Sequence, residues 1–173
     1  SGSCALTTAD QIAVAEAKGF KILNLDASTA TAQRRLEAEM AFIQAECLSS
    51  LSQGHDVLVT TARGPDDPMV ARLAEAITTS RATSSDVNAR LGTALGQLVS
   101  DIRRKTKMQR IAISGGDTSG HALTQLGADA LSAVAPLAPG APLCRVHTGA
   151  DPAIDGLEVT LKGGQMGKPT FFL

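Results

Sequence analysis

Arg110-Ile111-Ala112-Ile113-Ser114-Gly115-Gly116-Asp117-Thr118-Ser119-Gly120 is the stretch on which the fold turns. Its first five residues make an apolar run of strand length, a glycine pair follows, and Thr118 to Leu126 has the composition of a helix that Gly127 closes. A strand that turns on two glycines into a helix is a building unit of α/β sheets.

The N-terminal flank repeats the alternation. Thr8-Ala9-Asp10-Gln11 has the form of a capping box, a hydroxyl for one orphan amide and a Gln to return the bond, and predicts a helix from about Thr8 to a stop at Gly19. Phe20 to Leu25 reads as a strand. Leu36, Met40, Ile43, Cys47 and Leu51 recur at steps of three or four and draw one stripe on a helix from about Ala30 to Leu51. Asp56 to Thr61 reads as a buried strand and Ala62 to Pro68 as a loop of turn formers. A second long helix follows, with Val87, Leu91, Leu95, Leu98 and Ile102 on one face and Arg103, Arg104, Lys105 and Lys107 at the negative end of its dipole.

On the C-terminal flank, short strands are predicted at Ala130 to Val134 and Leu143 to His147, separated by a loop holding Pro136, Pro139, Gly140 and Pro142. A last strand, Leu157 to Lys162, runs into Gly163-Gly164-Gln165-Met166-Gly167. This alternation predicts an α/β fold of three layers, α/β/α, with a Rossmann-like, mostly parallel sheet and helices on both faces. A chain of 173 residues with 43% apolar side chains fits one domain over 1–173. Ligands of such sheets bind beyond the carboxyl ends of the strands, which singles out four loops: Ser1–Ser3, Arg63–Asp67, Gly115–Gly120 and Gly163–Gly167.

Composition narrows the ligand. Sixteen basic against seventeen acidic side chains give a net charge of -1, so no global field recruits nucleic acid or an anionic membrane. Trp and Tyr are absent and Phe occurs four times, which removes most of the stacking surface that single-strand readers use. A small molecule is the ligand class left. Cys4, Cys47 and Cys144 have no metal-ligand spacing and fit a reducing cytoplasm; no signal-peptide layout is visible. His55, His121 and His147 share no spacing that suggests a triad or metal site.

A glycine pair lets backbone approach a ligand, and Thr118 and Ser119 add hydroxyls and free amides at a helix N-terminus, where the dipole favours a phosphate. The pattern is neither the Walker A sequence nor the dinucleotide fingerprint. Gly163 and Gly164 repeat the arrangement after a strand and beside a cation, Lys162, although a β-bulge and a solvated lysine would explain them too. Asp117, the one carboxylate in the motif, either holds Mg²⁺ or caps the helix after it. Ser1-Gly2-Ser3-Cys4 reads either as a strand-to-helix loop whose strand is missing, as in a fragment, or, for Ser-Gly-Ser, as residues added for expression.

Together, Gly2-Ser3-Cys4 with Thr8 and Gln11, Arg63-Gly64-Pro65-Asp66-Asp67, Ile113 to Gly120 with Leu126-Gly127, Ala138-Pro139-Gly140 to Pro142, and Leu161-Lys162-Gly163-Gly164 with Gly167 span nearly the whole chain in order. In this combination the sequence resembles the C-terminal, nucleotide-binding domain of the four-carbon acid sugar kinases. The resemblance implies ATP-dependent phosphorylation of the terminal hydroxyl of a sugar acid such as threonate, erythronate or an oxo-tetronate. It implies an N-terminal sugar-acid-binding domain of the same protein as partner, carrying the substrate site and the unassigned catalytic residues; a homodimer is left open. Ser3, Gly115, Gly116, Asp117, Thr118, Ser119, Gly120, Lys162, Gly163 and Gly164 would line the ATP site, with Mg²⁺ at Asp117. The family pattern has a Ser where this chain has Gly163 or Gly164, and often another at Ala5. The competing reading is a non-catalytic module that senses a nucleotide or sugar phosphate.

Overall fold

Apolar residues at strand and helix spacing set the element order, and local caps set the boundaries. The computed structural model describes residues 1–173. It contains five helices, α1 (Leu6–Ala17), α2 (Gln33–Ser52), α3 (Pro68–Thr79), α4 (Ser84–Lys105) and α5 (Gly116–Gln125). Six strands accompany them: β1 (Lys21–Asn24), β2 (Val57–Thr60), β3 (Arg110–Ser114), β4 (Ala130–Ala138), β5 (Ala141–His147) and β6 (Glu158–Lys162). A 3₁₀ turn, Ala27–Thr31, precedes α2.

The second long helix is in fact two. Asp67 caps α3 by accepting from Met69 N at 2.9 Å, with Pro68 in the first turn. Thr83 and Asp86 form a reciprocal capping box that starts α4 afresh. The capping box expected at Thr8 is absent. Helix α1 begins two residues earlier, after Ala5, and Thr8 and Gln11 are fully buried inside it.

The sheet also departs from expectation. Instead of one mostly parallel sheet there are two, β1-β2 and β3-β6-β5-β4. β1 and β2 are parallel, as are β3 and β6, but β5 is antiparallel to both β6 and β4. The physical reason is the loop read between Ala130 and His147. Pro139-Gly140 makes a tight hairpin, Gly140 taking φ +73°, and a hairpin joins antiparallel neighbours only. Pro136 lacks an N–H, and the β4–β5 register slips on either side of Ala135.

Helices do cover both faces of the β1-β2 sheet. Leu58 packs with Ile12 and Ala15 of α1 on one side, while Leu23 and Leu25 join Leu36, Ile43 and Cys47 of α2 and Val87, Leu91 and Leu98 of α4 on the other. A second core sets Ala122 and Leu126, in and after α5, against Ile113, Val146 and Val159 of the four-stranded sheet. Helices α4 and α5 approach closely because Gly92 and Gly96 face His121 and Gln125; a Cβ at Gly92 would stand 2.5 Å from that of His121. No helix is long and apolar enough to cross a membrane.

Candidate functional site

The parallel β3–β6 register sets Ser114 beside Lys162, so the two glycine turns that follow them leave the sheet side by side. Gly115 N donates to Lys162 O at 3.0 Å and ties the turns together. Gly115 has φ +120°, a conformation that side chains rarely adopt, and so the chain can reverse directly into α5 at Gly116. The first helical amides, those of Gly116, Asp117 and Thr118, have no intrahelical acceptor and gather at the positive end of the α5 dipole.

The N-terminal segment enters the same place. Gly2 N donates to Ser114 O at 2.8 Å, and a Cβ on Gly2 would stand 2.3 Å from Thr118 Oγ1. Ser3 Oγ accepts from Ala5 N at 3.2 Å and abuts Gly164 so tightly that a Cβ there would lie 1.9 Å away. Thus three of the four loops converge, those of Ser1–Ser3, Gly115–Gly120 and Gly163–Gly167.

The fourth loop makes no hydrogen bond to the glycine turns. Arg63 pairs with Glu16 of α1 at 2.8 Å rather than with an acid of its own loop, and Asp67 accepts from Arg63 N and Met69 N. Those backbone bonds, Met69 first, hold the Asp67 carboxyl below its usual range. Arg63 to Pro68 and Leu6 line a cavity of about 400 Å³ that includes none of the glycine-turn residues.

Lys162 is buried, with 2% of its surface exposed, and forms no ion pair. Its Nζ donates to Thr8 Oγ1 and Gly163 O, both at 3.1 Å, and more weakly to Gly164 O at 3.5 Å. The rings of Phe171 and Phe172 stand 5.7 and 5.8 Å from it. Burial without a carboxylate pushes its pKa below the ordinary lysine value. A phosphate brought alongside would raise it again, since an opposite charge favours the ammonium. Ser114 Oγ and Thr160 Oγ1, on the same sheet face, and Gln11 Oε1 are buried without a partner. The site therefore presents neutral acceptors, free amides and one uncompensated cation.

The remaining expected residues divide. Asp117 is exposed in the first turn of α5, two residues past the Gly115 N-cap, and makes no hydrogen bond. No trio of His, Cys, Asp or Glu is grouped to hold a metal, and Asp117 is the one carboxylate in the first turn of α5. Ser119 is turned inward, its Oγ donating to Gly115 O at 2.7 Å. Gly120 lies on the outer surface of α5. The basic cluster in the last turn of α4 is structural: Arg103 Nε donates to Ala153 O, and Arg104 pairs with Asp101 and Asp151.

A family described as nucleotide-binding C-terminal domain matches residues 1–172. The chain belongs to that family. The resemblance to the C-terminal domain of the four-carbon acid sugar kinases holds with it. A 3-oxo-isoapionate kinase of Paraburkholderia graminis is 40% identical over 172 residues, covering 99% of this chain and 36% of that protein. A 3-oxo-tetronate kinase of Methylobacterium radiotolerans is 28% identical over 171 residues, with the same coverage. Among solved structures, a Haemophilus influenzae protein shares the fold at a TM-score of 0.76 and 19% identity, over 99% of this chain and 37% of that one. The nucleotide-binding domain thus spans about a third of the length of these curated relatives.

Sequence reasoning undervalued the residues that hold this nucleotide-binding domain's turns in place. Thr8 Oγ1 donates to Gly164 O at 2.6 Å while accepting from Lys162, and Gln11 Nε2 donates to Met166 O and Lys168 O at 2.9 and 3.0 Å. A Thr and a Gln three residues apart, in line with the apolar positions Ile12 and Ala15 of the same helix, were the available signal. Thr8→Val keeps the shape and removes the hydroxyl, leaving a buried carbonyl and a buried ammonium each one partner short. The expected loss is about 1–3 kcal/mol of stability, read as a fall in melting temperature; an unchanged melting temperature would show that the bridge contributes nothing.

Proposed function

We propose that this domain binds the triphosphate of ATP over the Gly115-Gly116 turn, for a kinase that phosphorylates the terminal hydroxyl of a four-carbon sugar acid. The observation that carries the reading is the convergence of the α5 N-terminus, the Gly163-Gly164 turn and buried, uncompensated Lys162 at one sheet edge. The names of the 40% and 28% identical relatives, both sugar-acid kinases, support the reaction class.

Phosphoryl transfer demands alignment of the donor, neutralisation of phosphate charge and a base for the attacking hydroxyl. Free amides of Gly116, Asp117 and Thr118 would take phosphate oxygens, and the ammonium of Lys162 would offset their charge from beneath the turn. Asp117 sits where a carboxylate would repel those oxygens unless Mg²⁺ lay between. No side chain here is placed as a general base. That group belongs to the N-terminal sugar-acid domain of the full-length protein, which aims the hydroxyl at the γ-phosphate.

Titrating the full-length protein with ATP tests this reading. Binding is expected with Mg²⁺ and should weaken about tenfold or more in Asp117→Asn at fixed Mg²⁺, whereas nucleotide added without metal should bind the variant at least as well as the parent. Absence of ATP binding by the parent, with or without metal, would overturn the proposal.

A further inference from the structure

Strands β2 and β3 each pair on one side only, β2 with β1 and β3 with β6. In β2, Asp56 O accepts from Lys21 N and Thr60 O from Leu25 N, so residues 56, 58 and 60 turn their main chain toward β1 while 57, 59 and 61 turn away. In β3, Gln109 O accepts from Glu158 N and Gly115 N donates to Lys162 O, so residues 110, 112 and 114 turn away from β6. Ser1 and Gly2 stand between these two free edges. Ser1 N donates to Val59 O, Ser1 O accepts from Thr61 N at 3.1 Å, and Gly2 N donates to Ser114 O at 2.8 Å. One residue bonded to the left and the next to the right is the alternation of a central parallel strand.

We propose that β2 and β3 are the walls of a slot for one more parallel strand, supplied by the residues that lead into Ser1 in the full-length protein, which joins the two sheets into one. The register follows from the bonds already made. The residue before Ser1 would donate to Ala112 O and accept from Ser114 N; the one before that would donate to Val57 O and accept from Val59 N. The slot edges, Val57-Leu58-Val59 and Ile111-Ala112-Ile113, are apolar runs of the kind that natural sheets seldom leave unpaired. The α-amino group of Ser1 is pushed down to about 5, by burial first and then by the charge of Lys162, so the position suits a neutral peptide N–H better than an ammonium.

The joined sheet would run β1-β2-new strand-β3-β6-β5-β4, with β5 alone opposed to the rest. From the new strand the chain leaves through α1 toward β1; from β3 it leaves through α5 toward the other side. Gly2-Ser3 and Gly115-Gly116 would then flank the point where strand order reverses, where open α/β sheets bind ligands. The linker from the preceding domain would be built into the sheet directly beneath the candidate phosphate site.

Hydrogen exchange of the full-length protein, resolved to single amides by fragmentation in the mass spectrometer, tests this without nucleotide and so apart from the ATP reading. The amides of Val57, Val59, Ala112 and Ser114 have no acceptor within residues 1–173 and are expected to exchange about a hundredfold or more slowly than unprotected peptide. Exchange of these four at the unprotected rate would overturn the proposal. A proline placed one or two residues before Ser1 removes the N–H that would donate to Ala112 O or Val57 O, and its ring does not fit between two paired strands, so the strand should be displaced and the four amides should lose protection; unchanged protection in those variants would equally count against the strand.

Discussion

Gly116→Val is expected to weaken ATP binding by about a hundredfold or more, roughly 3 kcal/mol, while the melting temperature stays within about 3 °C of the parent's. A Cβ at Gly116 meets nothing within 4 Å, and Gly116 is not among the glycines with positive φ. It is the first residue of α5, where valine is no worse a helix former than glycine. The branched side chain would occupy the space over the free amides of the first turn and exclude a phosphate from them. Gly115→Val makes the contrast, because Gly115 has φ +120° and a Cβ there would lie 3.3 Å from Gly2 C, so its loss of binding should come with a loss of stability. Calorimetric titration with ATP and a thermal melt of both variants separate the cases. Parent-like binding by Gly116→Val would remove the phosphate from this turn.

The strand-turn-helix around Ser114 to Gly120 was legible because its signals are local: an apolar run, a glycine that needs positive φ, and a helical composition after it. The Gly115–Gly120 and Gly163–Gly167 loops were legible for the same reason, each ending a recognisable strand, whereas Ser1–Ser3 follows no strand within the chain and was read only as the approach to a helix. What the sequence hid was set by distant partners. Thr8 and Gln11 spell a capping box, yet their side chains bond to a loop more than 150 residues away, and the tertiary bonds win over the local one. The break between α3 and α4 was present in Thr83 and Asp86 but was masked by apolar positions on either side. The antiparallel pairing of β5 could have been read from Pro139-Gly140, a two-residue turn that leaves no room for a crossover. Lys162 reads as a strand-end cation; that it is buried over neutral acceptors and beside Phe171 and Phe172 is visible only in three dimensions.

The two neighbouring glycines of the second turn differ in a way that sequence cannot show. Gly164→Ala would set a Cβ 1.9 Å from Ser3 Oγ, 3.0 Å from Ser3 Cβ and 3.2 Å from Ala5 Cβ. Rotating the Ser3 hydroxyl away would break its bond from Ala5 N and still leave the two carbon contacts. The turn must shift, and with it Gly164 O, the acceptor for Thr8 Oγ1 and Lys162 Nζ. Overpacking of this kind costs about 2–3 kcal/mol, so a fall of roughly 5–10 °C in melting temperature is expected, with about tenfold weaker ATP binding as Lys162 loses its seat. At Gly163 a Cβ meets only Met166 Sδ at 3.2 Å and Cγ at 3.5 Å, on a flexible side chain that can give way. Gly163→Ala and Gly163→Ser should therefore lie close to the parent, and of the two glycines it is Gly163 that has room for the serine usual in the family. If both positions responded alike, the tight seam between Ser3 and the second turn would not exist in solution. Adding Ser3→Gly to Gly164→Ala supplies the converse test: removing the side chain that is struck should recover part of the lost melting temperature, which a purely conformational effect at Gly164 would not allow.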